Sequence, residues 1–196
     1  MWAGSACVPE TSMSIALPSP VVVQLPTLSI EQVPLRIAVL RLWKPHVEHF
    51  SALSEVFGLP WPSAPNTVAG SDTRVLWLAP DTWAIAGPSA AMAHEQAARA
   101  LLQRLHHVSV VTEGRAVFRV RGPLARLLLS KGCSLDLQPH QFGEGQCAQS
   151  LLAQVPVLIE PLAVTEPHTV DYQLYADISY AGYLRAWFAD AALEYS

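Results

Sequence analysis

The chain has 196 residues, 51% of them hydrophobic and 14% charged, with a formal net charge of −4. Globular domains carry about 25% charged residues, so this one is short of surface charge, which suits a subunit partly buried against other chains. The negative balance and the lack of any Lys/Arg cluster exclude a nucleic-acid footprint and polybasic membrane attachment.

Residues 1–30 are rich in Pro, Ser and Thr and are expected to form a flexible N-terminal arm ahead of a domain over 31–196. Pro18, Pro20 and Pro26 break up the uncharged stretch between Glu10 and Glu31, and no apolar run of about 18 residues exists, so no membrane span is expected. No basic residue precedes Arg36, which argues against a secretory or mitochondrial leader and leaves the cytoplasm as the expected location.

In chain order, Arg36–Leu42 alternates as a strand does. His46–Phe57 reads as a short helix with Val47, Phe50, Leu53 and Val56 or Phe57 on one face, closed by Gly58. A proline-rich loop runs to Thr67. Arg74–Leu78 and Thr82–Ala86 read as strands joined by Ala79-Pro80-Asp81, where proline presets φ and aspartate bonds the backbone ahead. Ser89 or Ala90 to His106 has the composition of a long helix. Val108–Thr112 and Ala116–Val120 are two more strands around Glu113-Gly114.

Pro123 then suits a first helical position, with Leu124, Leu127 and Leu128 on one face and Gly132 at a left-handed stop. Ser150–Ile159 reads as one strand and Thr169–Tyr175 as another. Tyr180–Ala192 is a terminal helix with Tyr183, Leu184, Trp187 and Phe188 on one face. Strands interleaved with helices in this way predict an α+β fold with a mainly antiparallel sheet.

Candidate chemistry is thin. Cys7, Cys133 and Cys147 match no zinc or redox spacing and read as reduced thiols. His46 and His49 are three apart, whereas metal pairs on a helix are usually four apart with a third ligand nearby. His106-His107 reads as a helix end, where histidine meets the dipole favourably. Cys133, Asp136 and His140 could be drawn as a nucleophile set, but a cysteine after a helix C-terminus meets negative partial charge, which does not stabilise a thiolate. Gly143-Glu144-Gly145 lacks the strand, helix and lysine of a phosphate loop and reads as a turn. The tryptophans at 43, 61, 77, 83 and 187 suit packing better than a ligand cage. The expectation is no catalytic residue and no metal site, with cofactor-binding residues undetermined.

The stretch Arg115–Ala153 has a specific pattern instead: Arg119, Gly122-Pro123, Lys131-Gly132-Cys133-Ser134-Leu135-Asp136-Leu137, Pro139, Phe142, Gly145 and Cys147-Ala148-Gln149. With Gly58-Leu59-Pro60, Trp77 to Trp83, Tyr183-Leu184 and Trp187, it resembles the gamma subunit of heterotetrameric sarcosine oxidase over roughly residues 30 to 192. The resemblance implies a fold like one half of the folate-binding aminomethyltransferases. It further implies a non-catalytic subunit whose partners carry flavins, NAD and tetrahydrofolate, oxidise sarcosine and pass on the one-carbon unit. No cofactor is expected in this chain. The competing expectation is a stand-alone folate-binding protein or aminomethyltransferase, which rests on fold analogy. Stand-alone folate-dependent cluster-assembly proteins carry Lys-Gly-Cys-Tyr, whereas here Lys131-Gly132-Cys133 runs into Ser134.

Overall fold

The computed structural model describes residues 20–102, 104–162 and 170–195. Among these residues, eleven strands form two sheets in which every pairing is antiparallel. The first sheet has the order β1 (Val21–Leu25), β2 (Leu28–Gln32), β8 (Arg115–Gly122), β11 (Val170–Asp177), β10 (Val155–Pro161), β9 (Ala148–Leu152). The second has the order β4 (Val68–Ala69), β5 (Arg74–Ala79), β6 (Thr82–Ala86), β3 (Ile37–Leu42), β7 (His106–Val110).

Alternation along the strands builds four layers, because successive side chains leave a strand on opposite faces. On β3, Ala38, Leu40 and Leu42 join a core with α1 (Val47–Phe57) and α2 (Ala93–Leu101), while Ile37 joins a separate core. On β8, Ala116, Phe118 and Val120 pack with α3 (Ala125–Ser130) and α4 (Ala181–Ala192), while Val117 joins that same separate core. That third core, with Leu76, Ala84, Cys147 and Tyr175, lies between the sheets. Both faces of both sheets are thus covered, which accounts for part of the low charge content.

Several elements differ from their sequence reading. The arm expected over 1–30 is in place from Pro20 onward: β1 and β2 form a hairpin on the edge of the first sheet, and Leu28 and Ile30 are fully buried. Residues 1–19, Cys7 among them, lie outside the described residues.

The long helix stops at Leu101, so His106 and His107 sit on β7 rather than at a helix end. Ser150–Ile159 is not one strand but two, β9 and β10, turned at Ala153 (φ 48°) and Gln154 (φ 69°). Both residues take the left-handed conformation of a type I′ turn, which usually announces itself with Asn-Gly.

Gly58 closes α1 as expected: it is left-handed, φ 69°, and its N–H bonds the Ser54 carbonyl. Gly132 is not left-handed. A Cβ there would lie 2.7 Å from Trp187 Cζ2 and 3.0 Å from the Ala153 nitrogen, so glycine is required by close packing. Of the leucine face expected on the Pro123 helix, Leu128 is buried and Leu127 is half exposed. Val47 is likewise exposed rather than on the packed face of α1.

Candidate functional site

The residues that carry the sequence pattern form a clip rather than a reactive centre. Lys131 Nζ donates to the Ala191 carbonyl, pairs with Glu194 and lies 4.4 Å from the centre of the Tyr195 ring, so it fastens the end of α3 to the end of α4. Gly132 receives the Trp187 indole. Asp136 Oδ1 accepts the Gln138 N–H at 3.0 Å, which makes the turn that buries Leu137, and the Leu137 carbonyl accepts the Tyr172 hydroxyl. The stretch then crosses to the other sheet. The Gly145 carbonyl accepts the Val68 N–H, the Cys147 N–H reaches the Asn66 carbonyl, and Gln149 Nε2 donates to the Leu78 carbonyl at 2.8 Å. One loop therefore binds α4, the first sheet and the second sheet together.

The chemical candidates do not assemble. Cys133 is buried with Sγ 3.5 Å from Ser150 Oγ, while Asp136 is engaged in its turn and His140 is exposed; no described hydrogen bond joins the three. Cys147 is buried between the sheets, its thiol directed at the Trp77 and Thr67 carbonyls, and burial pushes its pKa up to about 12. A thiol so raised is protonated at neutral pH and a poor nucleophile. His49 Nδ1 accepts the backbone N–H of His46 at 2.9 Å, so this pair caps α1. Among the described residues no group of three or more His, Cys, Asp or Glu is placed to hold a metal ion. Trp83 is fully buried, edge-on to Phe50 and Trp61, and its indole N–H donates to the Pro62 carbonyl at 2.8 Å. Trp61 and Trp83 are thus core residues.

The polar centre of the molecule is one that periodicity did not reveal. Arg119 and Arg121 stand two apart on β8, on the face turned to the second sheet, opposite Gln173 and Asp171 of β11. Asp171, 3% exposed, accepts Arg121 Nε and Nη2 at 2.7 and 2.8 Å and Arg119 Nη2 at 2.7 Å. Burial works to raise its pKa, but the two guanidinium groups outweigh that and hold it below the usual carboxylate range.

One strand over, the fully buried Glu160 receives Arg74 Nε of the second sheet at 2.6 Å, the Tyr175 hydroxyl at 2.5 Å and Gln173 Nε2 at 3.2 Å. Burial lifts the Glu160 pKa above the ordinary carboxylate range against the pull of Arg74 and Tyr175, and pushes Tyr175 well up. Arg74, Arg119, Arg121, Asp171 and Gln173 border a cleft of about 390 Å³ that Gly70, Asp72 and Glu144 also line. The available signals were the Arg-x-Arg step on one strand and a lone glutamate inside the apolar run Val155–Leu162, since a charge buried in a sheet must be paired. Arg74 is paired with Glu160, and Arg119 and Arg121 with Asp171, and the arrangement supplies no nucleophile with an adjacent base.

The sarcosine oxidase gamma subunit family matches residues 46–194 of this chain. Sarcosine oxidase subunit gamma of Corynebacterium sp. (strain U-96) is 31% identical over 148 residues, covering 74% of this chain and 70% of that one. Among solved structures, a chain of the heterotetrameric sarcosine oxidase from Corynebacterium sp. U-96 in complex with pyrrole 2-carboxylate superposes with a TM-score of 0.73 at 30% identity, covering 86% of this chain and 85% of that one. The glycine cleavage system aminomethyltransferase T from Bartonella henselae has the same fold over 83% of this chain and 45% of its own length, with a TM-score of 0.59 at 12% identity. The fold is accordingly α+β and like one part of an aminomethyltransferase. The chain belongs to the sarcosine oxidase gamma subunit family.

Proposed function

We propose that this chain is the gamma subunit of a sarcosine oxidase-like complex and contributes assembly rather than catalysis. In this reading the flavins, NAD and tetrahydrofolate sit on partner subunits, which demethylate sarcosine oxidatively and transfer the one-carbon unit in the cytoplasm. One observation carries it: the stretch on which the sequence resemblance chiefly rests, Lys131 to Gln149, is occupied in holding α4 and the two sheets together, with its cysteines buried and its Asp136 in a turn. Among the described residues no helix is long and apolar enough to cross a membrane.

Co-expression of the partner flavoprotein subunits with and without this chain tests the reading. The expected result is that omission lowers the yield of assembled complex, while the chain purified alone shows no flavin absorbance and no sarcosine-dependent oxygen uptake. Stoichiometric flavin or amine oxidation by the chain alone overturns it. Tetrahydrofolate binding by the chain alone, without association with flavoproteins, would favour a stand-alone folate protein instead.

A further inference from the structure

In the Arg119–Asp171–Arg121 group, two guanidinium groups share one carboxylate. Asp171 holds them side by side, and each of its oxygens is already occupied by an arginine N–H. Glu31 of β2 lies near enough to act on Arg121 electrostatically, but no described hydrogen bond or ion pair joins it to either arginine. Arg119 Nε is buried with no acceptor among the described residues. A buried charged network is weak evidence of stabilisation, because desolvation offsets the Coulombic gain. What the arrangement does accomplish is to hold two guanidinium groups, each with an Nη1 that no described hydrogen bond occupies, at the wall of a cleft, and neighbouring arginine N–H groups suit a carboxylate.

The same cleft is also lined by carboxylates. Asp72, from the loop between β4 and β5, and Glu144, from the loop before β9, both line it, and both are exposed without a hydrogen bond or ion pair among the described residues. An anion alone gains from the arginines but is opposed by these carboxylates, and a cation alone meets the reverse. A molecule bearing both a carboxylate and an amine has a partner of opposite charge for each. The volume, about 390 Å³, lies in the range of small-molecule sites, and Leu35, Ala86 and Leu162 supply the apolar lining such sites have.

We infer that this inter-sheet cleft binds a small amphoteric molecule of the amino-acid class, its carboxylate on Arg119 and Arg121 and its amine toward Asp72 and Glu144. The inference stands whether or not the chain assembles with flavoprotein subunits.

The test uses the full chain, labelled with 15N, observed in the arginine Nε–H region of the spectrum. The probes are glycine, N-methylglycine, acetate, methylamine and inorganic phosphate. Glycine or N-methylglycine should titrate saturably on the order of millimolar and shift the Arg119 Nε–H signal, with acetate, methylamine and phosphate roughly tenfold weaker or worse. Arg121→Gln, at a half-exposed side chain, should weaken the amino-acid probe roughly tenfold or more. Glu144→Gln, in an exposed loop, should narrow the gap between glycine and acetate even if the arginine variant fails to fold. No saturable shift with either amino acid, acetate or phosphate binding as tightly as glycine, or wild-type behaviour in Glu144→Gln would each overturn the inference.

Discussion

The Trp187 indole occupies the space in which a side chain on Gly132 would begin, with Cζ2 2.7 Å from the position of an added Cβ. That one contact seats α4 against the turn after α3, and Lys131 locks the same junction through the Ala191 carbonyl. Cβ contacts this short do not occur without movement, and the indole is held edge-on to Phe188 in the core of the first sheet.

Gly132→Ala should therefore destabilise the chain by about 1–3 kcal/mol, the usual cost of overpacking a filled site. Chemical denaturation of the variant measures it. Combining it with Trp187→Leu should recover part of the loss relative to the sum of the single changes; strict additivity would show that the two residues do not collide.

Ala153 and Gln154 sit at φ 48° and 69° with side chains that gain nothing from the left-handed region. The paired substitutions Ala153→Asn and Gln154→Gly relieve that strain and supply the residues a type I′ turn favours. The expected gain is about 1 kcal/mol, read as a rise in the urea midpoint at unchanged slope. A loss of stability would mean that the Ala153 side chain, half-buried beside Gly132, makes a contact worth more than the turn.

Asp171 has a lowered pKa in the folded state, so it contributes stability above its unfolded pKa of 3.8 and loses that contribution as pH falls through the lower folded value. Denaturation midpoints taken below about pH 4 should drop less steeply for Asp171→Asn than for the native chain. Glu160 has the opposite sign. Its raised folded pKa contributes stability below its unfolded value of 4.5 and loses it as pH rises through the folded value, so Glu160→Gln should flatten the profile on that side. Equal acid slopes in native chain and Asp171→Asn would remove the arginine clamp from the account.

Cys147 should resist alkylation. With the thiol buried and its pKa pushed up to about 12, almost none is thiolate at pH near 8. Iodoacetamide labelling followed by mass spectrometry should leave Cys147 unmodified in the folded chain and modified after denaturation. Labelling of the folded chain at the rate of a free thiol would contradict the burial.

On α4, Phe188 and Leu184 are fully buried, but Tyr183 is 53% exposed with its hydroxyl on the Ala153 carbonyl, and Tyr180, in the turn just before α4, is also exposed. The aromatic face is thus split between core and surface. Tyr180→Ser should leave the fold intact, since nothing described depends on its ring, and should weaken assembly with partner subunits if the outer face of α4 is covered there, measured by co-purification yield. Trp187→Ala cannot separate the two roles, because it empties the Gly132 junction.

Local periodicity in the sequence determined the strands near Arg36–Leu42, Arg74–Leu78 and Thr82–Ala86, the helix closed by Gly58, the terminal helix and the α+β class, but not the short strand Val68–Ala69. In these segments the element positions agree with the final structure, although Val47 and Tyr183 leave the packed faces read for their helices. The Lys131 to Gln149 pattern likewise pointed to the family before any geometry was known. Tertiary structure alone decided the rest. That the strands divide into two sheets depends on which edges pair, and residues such as Arg119 and Asp171 meet across 52 positions. Ala153-Gln154 turns because β9 must return along β10, against the local preference of both residues. Gly132 is glycine for the sake of Trp187, and no nearby residue signals that requirement. Arg74 and Glu160 are 86 residues apart, and each looks locally like an isolated charge in a strand. Only the stacking of the sheets pairs them, and that pairing, with Tyr175 and Gln173 on Glu160, offsets part of the cost of taking both charges out of water.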